Sequence, residues 1–135
     1  MSAGRPPDER RILIVDDAEE ARSILAIALG TIGGARVETT DNAEDALRSM
    51  SSLRVDVLIT DVRMRGMSGL DLLTTLREHR CWPWCGALVI SGETDPELPQ
   101  RALACGAAAF FRKPISASAV RKSVISLLEV RNDTE

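Results

Sequence analysis

Five residues of this 135-residue chain carry groups that could act together on a phosphoryl group: the adjacent Asp16 and Asp17, then Asp61, Ser91 and Lys113. Close carboxylates repel one another, and their ionised forms need a counter-charge. A hard divalent cation meets that need. Magnesium (or manganese) is the expected one, held by carboxylates, a carbonyl, water and a phosphate oxygen. The cation and the Lys113 ammonium would balance the charge on the equatorial oxygens of a transferring phosphoryl group. Ser91 could donate to one of those oxygens, which leaves Asp61 as the nucleophile that forms an acyl phosphate. Taken singly, each residue has a plainer reading. Adjacent aspartates after a strand commonly make a turn and a helix cap, and a lone aspartate, serine or Lys-Pro pair says less still. The chemistry depends on whether the fold brings the five together.

Five short apolar runs suit parallel strands buried on both faces: Ile12 to Val15, Arg36 to Thr40, Val55 to Thr60, Ala87 to Ser91 and Ala108 to Arg112. Stripes with helical spacing lie between and after them. They are Ala21, Leu25, Ala28 and Ile32; Ala43, Leu47 and Met50; Leu70, Leu73 and Leu76; Leu98, Ala102 and Cys105; and Val120, Val124, Leu127 and Leu128. Asp95 and Pro96 predict an N-cap and first helical position, with Pro99 still in the first turn, and Ser116 is placed to cap the last helix. Strict strand–helix alternation predicts a doubly wound α/β domain with a five-stranded parallel sheet and five helices. Pattern alone leaves the strand order open. Ligands of such sheets bind outside the carboxyl ends of the strands. Asp16 and Asp17 follow the first strand, Asp61 the third and Lys113 with Pro114 the fifth, while Ser91 ends the fourth. All should therefore collect along one edge.

Composition narrows the field. One domain is expected over residues 10–130, with polar tails at 1–9 and 131–135, and 44% apolar residues suffice for a core. A net charge of −3 argues against a dedicated nucleic-acid surface. The absence of a signal-peptide pattern or a membrane-length apolar run predicts a cytoplasmic protein without a membrane partner. Cys81, Cys85 and Cys105 give neither a disulfide framework nor a convincing metal spacing with His79, and Cys105 is expected in the core.

Across nearly its whole length the chain resembles the receiver domain of two-component response regulators. The matching residues are Asp16-Asp17 in RILIVDD, Asp61 in VDVLITDVRMRGMSGLDLL, Ser91 in ALVISGE and Lys113-Pro114 in GAAAFFRKP. The resemblance implies a flavodoxin-like sheet of order 2-1-3-4-5, with Asp17 as chief metal carboxylate and Asp16 in support. It also implies that Asp61 accepts a phosphoryl group from the phosphohistidine of a kinase or phosphotransfer protein. The Arg63 backbone carbonyl would complete the metal shell, and Lys113, joined to Pro114 by a cis bond, would bind a phosphoryl oxygen. Ser91 and Phe110 would be the switch residues, remodelling the surface of the fourth helix, fifth strand and fifth helix. Phe110 could equally be a plain core aromatic. Implied partners are a downstream effector or output domain and a homodimer formed on phosphorylation. Such a module is not an enzyme on external substrates; it catalyses only its own phosphorylation and dephosphorylation.

The chain departs from the family pattern at Arg65, where proline is common, and at Gly92, where alanine is. Arg63 and Glu93 each lie two residues after a site residue, so they should overhang the pocket and pair across it, slowing hydrolysis of the phosphoaspartate; the plainer reading is two solvated side chains. In HRCWPWC, Cys81 and Cys85 could sense redox state and Trp82 with Trp84 could meet a partner, or the segment could be a loop capping the domain. Three further readings stay open. An aspartate-nucleophile phosphohydrolase typically has a second aspartate where Arg63 stands. A flavodoxin-like or nucleotide-binding module would need a glycine-rich phosphate loop or stacking aromatics, which are lacking. A degenerate receiver would bind partners without being phosphorylated.

Overall fold

The computed structural model describes the backbone of residues 9–134 and the side chains of residues 9–129. Strands and helices alternate as β1 (Arg10–Val15), α1 (Glu19–Leu29), β2 (Ala35–Thr40), α2 (Ala43–Ser52), β3 (Val57–Asp61), α3 (Gly69–Glu78), β4 (Gly86–Ser91), α4 (Leu98–Ala104), β5 (Ala109–Arg112) and α5 (Ala117–Thr134). All strands are parallel, in the order β2-β1-β3-β4-β5.

The runs of β1, β3 and β4 are buried because both faces of the central sheet are covered. The edge strands β2 and β5, expected as buried runs at Arg36 to Thr40 and Ala108 to Arg112, hold no buried residue within the strands, because each has a neighbour on one side only. Side chains alternate between two cores. Leu13, Leu58 and Val89 face α2, α3 and α4, whereas Ile12, Ile14, Ile59 and Ile90 face α1 and α5. Asn42 and Ser68 accept from the N–H groups of Asp45 and Asp71 and so cap α2 and α3, and Ser116 accepts from Ala119 at the start of α5.

Several boundaries differ from the sequence reading. The helix after Asp95 does not begin at Pro96. The Asp95 carboxylate accepts the Glu97 N–H at 2.9 Å and closes a turn, so α4 starts at Leu98 with Pro99 in its first turn. The first helix ends at Leu29, so Ile32 packs on the core from beyond it and Leu29 takes the buried place. On α2 the buried positions are Ala43, Ala46 and Met50, with Leu47 only partly covered. Cys105 caps the end of α4 half-buried against the core. The last helix continues through residues 131–134 of the expected polar tail, where no glycine or proline stops it. Of the expected amino-terminal tail, residues 1–8 lie outside the described residues.

The end of α3 closes in an unusual way. The Cys81 N–H donates to the Leu76 carbonyl at 2.8 Å and the Arg80 N–H to the Arg77 carbonyl at 3.2 Å, the pair of bonds that ends many helices through a left-handed residue. That residue is ordinarily glycine, but here Arg80 holds it with φ 58°. A side chain in this conformation costs roughly 1–2 kcal/mol, partly offset by the greater freedom glycine would bring to the unfolded chain. Arg80→Gly should therefore raise unfolding stability by about 0.5–1 kcal/mol, measurable by urea denaturation. A loss of stability would show that the arginine side chain makes compensating contacts.

Candidate functional site

The carboxyl ends of β1, β3, β4 and β5 bring the predicted residues together. Asp16 follows β1 and is fully buried, Asp61 is the last residue of β3, and Ser91 ends β4, both also buried. The backbone sets their directions. Asp16 Oδ1 accepts the Ala18 N–H at 2.9 Å, and the Asp16 carbonyl takes the Arg22 guanidinium at 2.7 Å. Asp61 Oδ1 accepts the Val62 N–H at 2.9 Å. The Lys113 N–H donates to the Ser91 carbonyl at 2.8 Å, tying the ends of β4 and β5, and the Lys113–Pro114 bond is cis.

Lys113 lies between the two buried acids, its Nζ 3.0 Å from Asp16 Oδ2 and 3.4 Å from Asp61 Oδ2. Burial alone would lower the ammonium's pKa, but its contacts with Asp16 and Asp61 outweigh that and hold it above the usual value. The Asp61 carboxyl is pushed up to about 6, first by burial and then by the Asp16 charge, against the lowering pull of Lys113 and the Val62 N–H. One ammonium does not neutralise this many acids.

The residues fit a divalent cation. Oxygens of Asp16, Asp17 and Asp61 lie within 4.8 Å of one another, and Asp17 is exposed so that its oxygens meet solvent. Although Asp16 Oδ2 lies close to the ammonium, it has no well-directed hydrogen bond among the described residues. Hard oxygen donors, one of them buried without a hydrogen-bond partner, are what magnesium or manganese takes up. The acidic pocket could thus bind a metal.

Around this centre Arg63 and Glu93 form the expected pair, with Nε 2.9 Å from Oε2, while the Arg63 side chain remains 82% exposed. Ser91 Oγ accepts the Glu93 N–H at 3.0 Å, and the Arg112 guanidinium donates to the Glu93 carbonyl. The same guanidinium stands 5.5 Å from the centre of the Phe110 ring, which packs half-buried against the core under α4.

Two positioning residues were not anticipated. Buried Thr60 donates its hydroxyl to the Asp61 carbonyl at 2.9 Å. Gly69 comes so close that a Cβ there would stand 1.9 Å from the same carbonyl. Its signal in the sequence was a glycine just after the cap residue Ser68, where no turn calls for one; close backbone approach is the other reason for glycine. The Gly69 N–H donates to the Val62 carbonyl at 2.8 Å, which locks the loop beyond Asp61 onto the start of α3.

The raised pKa of Asp61 sets a pH dependence. The unfolded state releases this proton near pH ~4, whereas the folded state holds it to about 6. The stability that proton gives is fully present below pH ~4 and is lost as pH rises through 6. Above that pH the ionised carboxylate costs the metal-free protein on the order of 2 kcal/mol. Asp61→Asn should therefore be more stable than the wild type at neutral pH in a chelator, with an advantage that shrinks between about pH 6 and 4. Paired denaturation curves across that range check this, and a pH-independent difference would refute it.

Comparisons with known proteins agree with this geometry. Residues 12–125 match the family model of the response regulator receiver domain. The chemotaxis protein CheY of Pseudomonas aeruginosa is 29% identical over 119 residues, which are 88% of this chain and 96% of that protein. The sensory/regulatory protein RpfC of Xanthomonas campestris is 32% identical over 119 residues, or 87% of this chain but only 16% of RpfC. The solved structure of the chemotaxis response regulator CheY4 of Vibrio cholerae superposes with a TM-score of 0.78 at 28% identity, covering 88% of this chain and 98% of that one. With the 2-1-3-4-5 sheet and the acidic pocket already in place, the match over most of the chain decides its kinship: it belongs to the receiver domains of two-component response regulators.

Proposed function

We propose that Asp61 is the phosphoacceptor of this receiver. The observation that carries the reading is the Lys113 ammonium set between Asp16 and Asp61, with three carboxylates grouped around one position. An Asp61 oxygen attacks the phosphorus of a phosphohistidine, the new O–P bond forms as the P–N bond breaks, and the imidazole leaves. Lys113 binds a phosphoryl oxygen. Asp16, Asp17, Asp61 and the Arg63 carbonyl would hold magnesium or manganese, which when bound supplies further positive charge to the phosphoryl oxygens. A largely apolar hollow beside Lys113, lined by Glu20, Ala21, Ile24, Pro114 and Ile115, offers the donor protein a surface near the reacting oxygen.

After transfer, the Ser91 hydroxyl turns to donate its proton to a phosphoryl oxygen and gives up the bond it accepts from the Glu93 N–H. The segment of Glu93 that Arg112 ties to the Phe110 ring then moves, and Phe110 turns inward. This changes the face of α4, β5 and α5, where an effector, an output domain or a second copy would read the state. The partners are thus a histidine kinase or phosphotransfer protein on one side and an effector on the other, with no direct role for nucleic acid or membrane. Receiver domains are typically signalling modules rather than enzymes, and the proposed catalysis is confined to the chain's own phosphorylation and dephosphorylation in the cytoplasm. The Arg63–Glu93 pair covers the approach to Asp61 and slows the hydrolytic water.

Intact mass after incubation with acetyl phosphate and magnesium should show the gain of one phosphoryl group, lost without metal and in Asp61→Asn. Absence of the gain in the wild type, or its persistence in Asp61→Asn, would contradict the assignment. Following the decay of the same species should show loss several-fold faster in Arg63→Ala and Glu93→Ala; unchanged lifetimes in both would remove the tuning role.

A further inference from the structure

The opposite end of the sheet carries a second constructed surface. A hollow of about 360 Å³ opens where β3 and β4 begin, between the end of α2 and the loop after α3. Its lining includes Leu53, Arg54, Arg80, Cys81, Trp82 and Trp84 and no carboxylate. Two guanidinia and two indoles thus meet in a chain whose net charge is −3. Leu53 and Trp84 are large apolar side chains left 47% and 45% exposed.

The cations are held in place. Arg54 lies over the Trp84 ring at 4.1 Å and donates to the buried Asp56 carboxylate at 3.2 Å, so part of its charge is already answered. Arg80 forms no ion pair among the described residues, and it occupies the left-handed position after α3 that ordinarily falls to glycine. Backbone strain of this kind gathers where a side chain is needed for a task. The position directs a free guanidinium to the rim of an aromatic-lined hollow, a setting for bidentate contact with a carboxylate.

We propose that this hollow docks an acidic peptide segment of a partner protein, with a carboxylate on Arg80 and an apolar side chain against Trp84 and Leu53. Charge complementarity selects the occupant, since the lining offers cations and apolar surface and no acid. A peptide suits it better than a nucleotide. No glycine-rich loop and no helix N-terminus lines the hollow, so it lacks the converging backbone N–H groups that cradle a phosphate, whereas a guanidinium beside exposed apolar side chains suits a carboxylate carried on a peptide. Aromatic and arginine side chains at the centre of a concave patch are the usual anchors of protein interfaces. The surface lies at the opposite edge of the sheet from Asp61, so it can be occupied whether or not the phosphoryl site is.

Trp82 and Trp84 are the chain's two tryptophans and there is no tyrosine, so intrinsic fluorescence reports on this hollow. The probe is a short, capped glutamate-rich peptide bearing one leucine and one phenylalanine, titrated against the intact chain. A saturable change in tryptophan emission is expected, weakened by salt and about tenfold weaker in Arg80→Gly, as loss of one charge-assisted carboxylate contact implies. Phosphoryl gain at Asp61 should be unaltered in Arg80→Gly, and Asp61→Asn should bind the peptide as the wild type does. No saturable change, equal affinity in Arg80→Gly, or an equal response to the same peptide with lysines for glutamates would overturn the proposal. Displacement of the peptide by adenosine triphosphate would reassign the hollow to a small anion and overturn it as well.

Discussion

The ammonium of Lys113 shared between two buried carboxylates is the constraint around which the rest of the site is arranged. Its Nζ lies 3.0 Å from Asp16 and 3.4 Å from Asp61, residues that follow or end different strands and are far apart in sequence. Neither acid could be buried at this depth unpaired without a large electrostatic cost. The lysine must therefore arrive from the end of β5, which the Lys113 N–H to Ser91 carbonyl bond secures. Asp61 must be fixed from beneath, which Thr60 and the close approach of Gly69 accomplish. Even so, the negative charge exceeds what one ammonium can balance, and the raised pKa of Asp61 expresses the excess. The site is thus poised to take up positive charge and to react.

The two ends of the sheet show how one scaffold divides its work. At the carboxyl ends Asp16, Asp61 and Ser91 are buried around Lys113, and a few backbone bonds determine their placement. At the amino ends the Arg54 and Arg80 guanidinia stand at the surface beside exposed indole and leucine side chains. Buried Asp56 links the two kinds of environment. It accepts the Arg11 backbone N–H at 2.8 Å and also pairs with Arg54, so the start of β3 is anchored by the same carboxylate that orients a surface cation.

Much of this was legible in the residues. Uninterrupted apolar runs such as Ile12 to Val15 suit strands covered on both sides, and their alternation with helical stripes left few architectures. The gathering of Asp16, Asp17, Asp61, Ser91 and Lys113 followed from one rule about strand ends and the Arg63–Glu93 pairing from their offsets, whereas the parts given to Phe110 and to the Arg63 carbonyl came from the family resemblance alone. What pattern could not supply was geometry made by backbone. Gly69 looks like any loop glycine until the Asp61 carbonyl is seen against it. Asp95 looks like a helix cap, yet it lies three residues before the helix begins and its side chain closes a turn there. Arg80 carries no mark at all, since a left-handed φ at a non-glycine residue is invisible in composition. Short-range contacts between backbone and side chain decide such cases, and residue type alone does not say which of them form.

The dependence of the site on crowded charge can be measured at one atom. Carbon-13 NMR of the Asp61 carboxyl, titrated in the metal-free protein and again with saturating magnesium, reads its protonation directly. The predicted midpoint is about 6 without metal, falling markedly when magnesium binds, because the cation favours the ionised form. A midpoint in the ordinary carboxylate range near pH ~4 without metal, or one that magnesium leaves unmoved, would contradict the picture of Asp61 as a buried carboxylate awaiting a counter-charge.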